Sequence, residues 1–123
     1  MTLLFAEPQL FVTNLGAALD HYMRRLGFSL AFAHGEPAFY AQVIRDGARL
    51  NLRHVDSQPF ATGFRETEGD VLAATIAVDD AEALFEEFGR AGVAFHQPLR
   101  TEKWGARTFI VADPDGNLVL FAG

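Results

Sequence analysis

The chain has no cysteine. Disulfides, cysteine metal ligands and a cysteine nucleophile are therefore excluded, and a reducing, cytoplasmic setting is expected. No stretch approaches the ~20 apolar residues that span a bilayer, so no membrane partner is expected. The opening MTLLFAEP lacks the basic region and long apolar run of a secretory signal. Lysine/arginine runs are also missing and the formal net charge is -6, which argues against nucleic acid, since phosphate binding needs a concentrated basic patch. Glycine-rich phosphate loops, HExxH or HxH spacings and a Ser/His/Asp arrangement are absent. The four histidines, His21, His34, His54 and His96, read as surface or structural groups, with His21 on a solvated helix face.

What is present is a hydrophobic half: 50% of 123 residues, enough for one domain with a core and too few for two. Residues 6–13 read as a strand. Leu15, Ala18, Leu19, Tyr22, Met23 and Leu26 then recur at helical spacing. Asn14 is placed to cap that helix and Gly27 to stop it. Strands are expected at about 28–33, 38–45 and 48–55, followed by a polar connection over 56–70. The order then repeats. A strand at 73–78 leads to a helix carrying Ala81, Leu84, Phe85 and Phe88, opened by an Asp79–Glu82 capping box and ended at Gly92. Strands follow at about 93–99, 106–112 and 117–122. VTNLGAALDHYMRRLGF and VDDAEALFEEFGRAGV match with a one-residue gap, and RDGARLNL and DPDGNLVLF occupy the same relative place. The chain is read as two copies of strand–helix–strand–strand–strand: module one over about 1–57, module two over about 70–123.

The opening PQLFVTNLGAALDHYMRRLGF, the segment KWGARTFIVADPDGN and the ending LVLF resemble the vicinal oxygen chelate (glyoxalase/bleomycin resistance/dioxygenase) superfamily across nearly the whole chain. The resemblance implies an α+β fold: two tandem βαβββ modules forming a curled mixed sheet around a cavity, with helices outside. It also implies a homodimer, as in many members. In the metal-dependent members four inward strand positions carry His or Glu, and a divalent ion there polarises the substrate. Carried onto this chain the positions fall at Glu7, Asn51, Ala73 and Leu120. One carboxylate and one amide do not hold a divalent ion. The resemblance is therefore strongest to metal-free, bleomycin-resistance-like members, which sequester a ligand without chemistry. No metal, cofactor or catalytic residue is expected.

Strand alternation extends these positions. Gln9 and Phe11 follow Glu7, Arg49 and Arg53 flank Asn51, and Thr75 follows Ala73. Arg107, Phe109 and Val111 are assigned the same cavity side. Arg53 and Arg107 read either as anion clamps or as members of internal ion pairs. Asn51 bonds either a ligand or a neighbour. Trp104 is a stacking wall at the cavity mouth or a loop anchor, and Phe39, Phe60 and Phe64 are further stacking candidates. The expected binding set is Glu7, Gln9, Phe11, Phe39, Asn51, Arg53, Phe60, Trp104, Arg107 and Phe109. The expected function is sequestration of a small, partly aromatic ligand such as a bleomycin-type antibiotic. The alternatives are a metal-dependent lyase or dioxygenase with an atypical site, and a structural dimer whose cavity its own phenylalanines fill.

Overall fold

A computed structural model describes all residues, 1–123. Strand β1 (Gln9–Val12) leads into helix α1 (Leu15–Asp20), then β2 (Ser29–Gly35), β3 (Ala38–Arg45) and β4 (Ala48–His54). A connection carrying a short helix, α2 (Phe64–Glu68), joins this module to β5 (Leu72–Ala77), α3 (Ala81–Arg90), β6 (Phe95–Thr101), β7 (Arg107–Ala112) and β8 (Leu118–Ala122). The duplicated order read from the sequence is the order observed. Only α2, hidden in a polar stretch, was not expected.

Each module forms its own four-stranded mixed sheet, ordered β1-β4-β3-β2 and β5-β8-β7-β6. Parallel pairing joins β1 to β4 and β5 to β8. The sheets do not join across β1 and β5, so the curled mixed sheet expected of the two modules is a pair of open half-sheets.

Asn14 caps α1, accepting from Ala17 N at 2.9 Å. Asp80, not Asp79, caps α3, accepting from Ala83 N at 3.0 Å; it is the residue that aligns with Asn14. Gly27 and Gly92 turn the chain out of the two helices at φ +74° and +81°, where a side chain is disfavoured. The first helical segment has one residue more than the second, and its end widens to π geometry over His21–Arg25. That turn absorbs the extra residue. It leaves Met23 37% exposed while Tyr22 and Leu26 stay fully buried.

One core joins both modules: Leu10, Val12, Leu50 and Leu52 from the first sheet meet Phe109, Val111, Val119 and Phe121 from the second. The modules are also stapled by polar groups. The buried Tyr22 hydroxyl donates to Asp113 at 3.0 Å. Thr13 N and Oγ1 donate to Asp115 at 3.0 and 2.7 Å. Asn117 Nδ2 donates to the Phe11 carbonyl at 2.9 Å. The DPDGN segment is thus more than a hairpin turn: it fastens the second module to the first.

Candidate functional site

Alternation gives each sheet a face against its helix and an open face. On β1, Leu10 and Val12 are buried while Gln9 and Phe11 are exposed. Register carries that open face across the first sheet. Gln9 stands beside Asn51, Asn51 beside Gln42 and Gln42 beside Phe32. The next rung runs Phe11, Arg53, Tyr40.

The first rung is a hydrogen-bonded cluster around Glu7. Gln42 Nε2 donates to Glu7 Oε2 at 3.0 Å and to Asn51 Oδ1 at 2.9 Å, and Asn51 Nδ2 donates to Glu7 Oε1 at 3.3 Å. Asn51 and Gln42 are 3% and 8% exposed, so this cluster satisfies amides that would be costly to bury alone. Arg49 completes it, 3.8 Å from Glu7 and 4.0 Å over the Phe5 ring. The second rung is aromatic and cationic. Tyr40 donates to Gln9 Oε1 at 2.9 Å and its ring stacks on Phe32 at 6.2 Å. Phe11 and Phe32 are 42% and 46% exposed. Arg53 is exposed, and neither a hydrogen bond nor an ion pair holds it.

Glu7, Gln9, Phe11, Asn51 and Arg53 are therefore brought together. Gln42, Tyr40 and Phe32 join them without having been expected. The signal for Gln42 and Tyr40 was the alternation on β3, where they interrupt an otherwise apolar run with the right period.

Three expected residues lie on the other face. Leu120 pairs with Ile110, so Thr108 and Ile110 share its open face, and Arg107, Phe109 and Val111 point to α3. A one-residue error in parity flips every side chain of a strand. Phe109 is fully buried, with its ring 5.1–5.8 Å from those of Phe85, Phe88, Phe95 and Phe121. Arg107 bonds Glu82 at 2.8 Å rather than lining a cavity. Phe39 shares the face of the buried Ala41 and Val43 and sits at the hairpin tip, 5.6 Å from the His34 ring. Phe60 is held in the connection, stacked on Phe64 at 6.1 Å and 4.0 Å beneath Arg65, which donates to the Asp115 carbonyl. Trp104, at 76% exposure in the β6–β7 turn, is not a packed anchor.

His21 also departs from its expected place. Its ring lies edge-on to Tyr22 at 4.9 Å, and its buried Nε2 has no partner. Burial lowers its pKa below the ordinary histidine range; Asp113 and Asp20 oppose the shift and Arg25 adds to it.

The open face of the second sheet is different. Ala73, Thr75, Ile110 and Leu120 give it no charged group at the places of Glu7, Gln42 and Asn51. Its polar chain lies toward the edge, where Gln97 donates to Thr108 at 3.2 Å and Thr108 to Glu102 at 2.8 Å. Nowhere do three or more His, Cys, Asp or Glu side chains converge as a metal site. Glu7 is the one carboxylate among the four aligned positions and is bonded to two amides, so this donor set does not fit a divalent ion.

A cavity of about 640 Å³ lies elsewhere. It is a slot in the seam between the modules, floored by residues of the helix-facing sides such as Leu50, Ile76 and Phe121.

Two open mixed sheets, each backed by a helix in a duplicated βαβββ order, define the class of fold. The chain belongs to the Glyoxalase/Bleomycin resistance protein/Dioxygenase superfamily, which it matches over residues 4–121. It is similar to the bleomycin resistance proteins of Geobacillus stearothermophilus and Staphylococcus aureus, each 26% identical over 93% of this chain and 92% of theirs. Among solved structures it resembles the bleomycin-binding protein of Streptomyces verticillus, determined with copper(II)-bleomycin, at 28% identity and a TM-score of 0.76 over 98% and 96% of the two chains. TioX from Micromonospora sp. ML1 shares the fold, with 24% identity and a TM-score of 0.74 over 94% of each chain. No helix is long and apolar enough to cross a membrane.

Proposed function

We propose that the protein binds and sequesters a small, partly aromatic molecule, such as a bleomycin-type antibiotic, on the open face of its first sheet, without metal or chemistry of its own. The observation that carries this reading is the pairing of two rungs. Glu7, Gln42 and Asn51 offer fixed, directional polar groups, and Phe11 and Phe32 offer uncovered rings beside them, with the half-buried Tyr40 stacked on Phe32. Ligand sites combine these two elements: apolar area for affinity and a few placed polar groups for orientation. The similarity to bleomycin resistance proteins and to a bleomycin-binding protein lends the ligand class support.

A homodimer belongs to the same proposal. The open faces and the N-terminal segment expose Leu4, Phe5, Phe11, Phe32 and Leu72 at 39–81%, an apolar surface that a second copy would cover and turn into a cleft. Trp104 then stands at the rim of that cleft as a stacking wall.

Titration with metal-free and copper-loaded bleomycin and a panel of aromatic metabolites tests the reading, with light scattering for the assembly. Binding that Glu7→Gln and Phe11→Ala each weaken is the expected result. A protein that binds none of them, or that carries one tightly held divalent ion per chain, would sink it.

A further inference from the structure

We propose that the seam between the modules is a second ligand site, for a small amphipathic cation with an apolar ring system and a protonated amine. It is independent of the open face. The argument rests on the pseudo-symmetry of the seam, which presents the same junction twice.

At one junction the helix of module one meets the hairpin of module two: Tyr22 reaches Asp113, Thr13 holds Asp115, and Asn117 bonds the Phe11 carbonyl. At the other, the helix of module two meets the hairpin of module one. Hairpin register equates Asp113 with Arg45 and Asn117 with Ala48, because Arg45 pairs with Ala48 as Asp113 N bonds Asn117 O. Glu87 takes the place of Tyr22 and binds Arg45 through two bonds of 2.7 and 2.9 Å. There the correspondence of bonds stops. Asp79 replaces Thr13, the hairpin tip of module one carries Asp46, and both line the slot, so a donor–acceptor pair at one junction is replaced by two carboxylates at the other. Ala48 has no donor for the Ala77 carbonyl. The second junction is held at one place only, and the 640 Å³ slot opens beside it.

The consequence appears in the core. Leu10 and Val12, under the stitched junction, are 1% and 0% exposed. Ile76 and Val78, their counterparts on β5, are only partly buried and line the slot with Leu84. A void of this size bordered by aliphatic side chains lies within the range that binds small molecules. Its charge selects the occupant. Among the charged groups on its rim, Arg45 is neutralised by Glu87, Arg49 turns to Glu7 and Phe5, and Asp80 caps α3. Asp46 and Asp79 are exposed and their side chains make no hydrogen bond or ion pair, although Asp46 lies near enough to Arg45 to favour its charged form. An ammonium between them would restore the donor that Thr13 supplies at the other junction, and its ring would cover Ile76 and Val78.

The probe is 2-(1-naphthyl)ethylammonium, with 1-naphthylacetate as its charge-reversed counterpart. Titration followed by methyl NMR should shift Ile76, Val78 and Leu84 with the cation and far less with the anion. Asp46→Asn with Asp79→Asn should weaken the cation roughly tenfold. Both sites are exposed, and Asn tolerates the φ of +51° at position 46, so the fold stays intact. Phe11→Ala, which lies on the open face and outside the slot, should leave the affinity unchanged, which separates the two sites. Equal binding of the two probes, full affinity in the double variant, or loss on Phe11→Ala would each overturn the proposal.

Discussion

The two modules share a fold and turn their aromatic rings in opposite directions. In the second, Phe85, Phe88, Phe95, Phe109 and Phe121 form a connected knot between sheet and helix, with neighbouring rings 4.3–5.8 Å apart. In the first, Phe5, Phe11, Phe32 and Tyr40 lie on the open side with the Glu7 cluster, while aliphatic residues, Tyr22 and Phe28 fill the core. One copy of a duplicated module has kept its rings for packing; the other presents most of them outward beside polar groups. Rings that pack inward stabilise the fold. Rings left uncovered beside fixed hydrogen-bonding groups are available to a ligand, so the composition alone, twelve phenylalanines, does not say which role any of them has.

The sharpest break of this comparison is Phe109→Ala against Phe11→Ala. Removing a fully buried ring costs ~3–5 kcal/mol. Thermal denaturation should show Phe109→Ala losing on the order of 10 °C or more, while Phe11→Ala stays within a few degrees and weakens ligand binding instead. Similar losses from both would mean the open face is part of the core.

The seam offers the next test. Asp113 accepts from the Tyr22 hydroxyl, from Asn117 Nδ2 and from the backbone N–H groups of Asp115 and Asn117. Asp113→Ala leaves the buried Tyr22 hydroxyl and Asn117 N–H without a partner and takes from Asn117 Nδ2 one of its two acceptors, at roughly 2–4 kcal/mol. Its counterpart Arg45→Ala breaks a pair whose side chains are 29% and 44% exposed, and solvent screening limits that loss to about 1 kcal/mol. Denaturant melts of both variants decide it: an equal cost at the two positions would contradict the unequal stitching.

His21 gives a smaller, pH-dependent effect. Its pKa is lower in the folded protein, chiefly through burial, so the unfolded chain takes up a proton first as pH falls. Its contribution is intact above the ordinary histidine range and is lost as pH drops through that range toward the folded value. The wild type should therefore lose more stability than His21→Gln between neutral pH and mild acid, and parallel pH profiles would refute the buried placement. The smallest effect on stability belongs to Trp104→Ala, within about 0.5 kcal/mol for an exposed turn residue. Its effect on ligand binding, roughly tenfold if the ring stacks on the ligand, and its fluorescence as the only tryptophan measure its proposed role at the rim.

Much of the fold was legible before any coordinates. The eight strands and two main helices follow from periodicity and punctuation, because alternation and the 3.6-residue stripe are local consequences of burying one face. The one-residue gap between the copies marked the place where the first helix widens. The candidate site was legible on β1 and β4, where Glu7 and Asn51 set the parity, and illegible on β7. There an unbroken buried run from Thr108 to Val111 gives no alternation to read, and Arg107 at its start suggested the wrong face.

By itself the sequence determined the duplication, the order of elements, the cap at Asn14, the glycine stops and the poverty of metal donors at the four aligned positions. Each depends on residue type and short spacing. Only the tertiary structure decided that Phe109 is core, that Gln42 completes the Glu7 cluster, that DPDGN staples the modules and that the opposite junction stays open. Those outcomes depend on register between strands and on which loop meets which helix across 31 to 106 residues of chain. Local pattern carries no record of such distant pairings, because they are chosen by packing the two half-cores against each other.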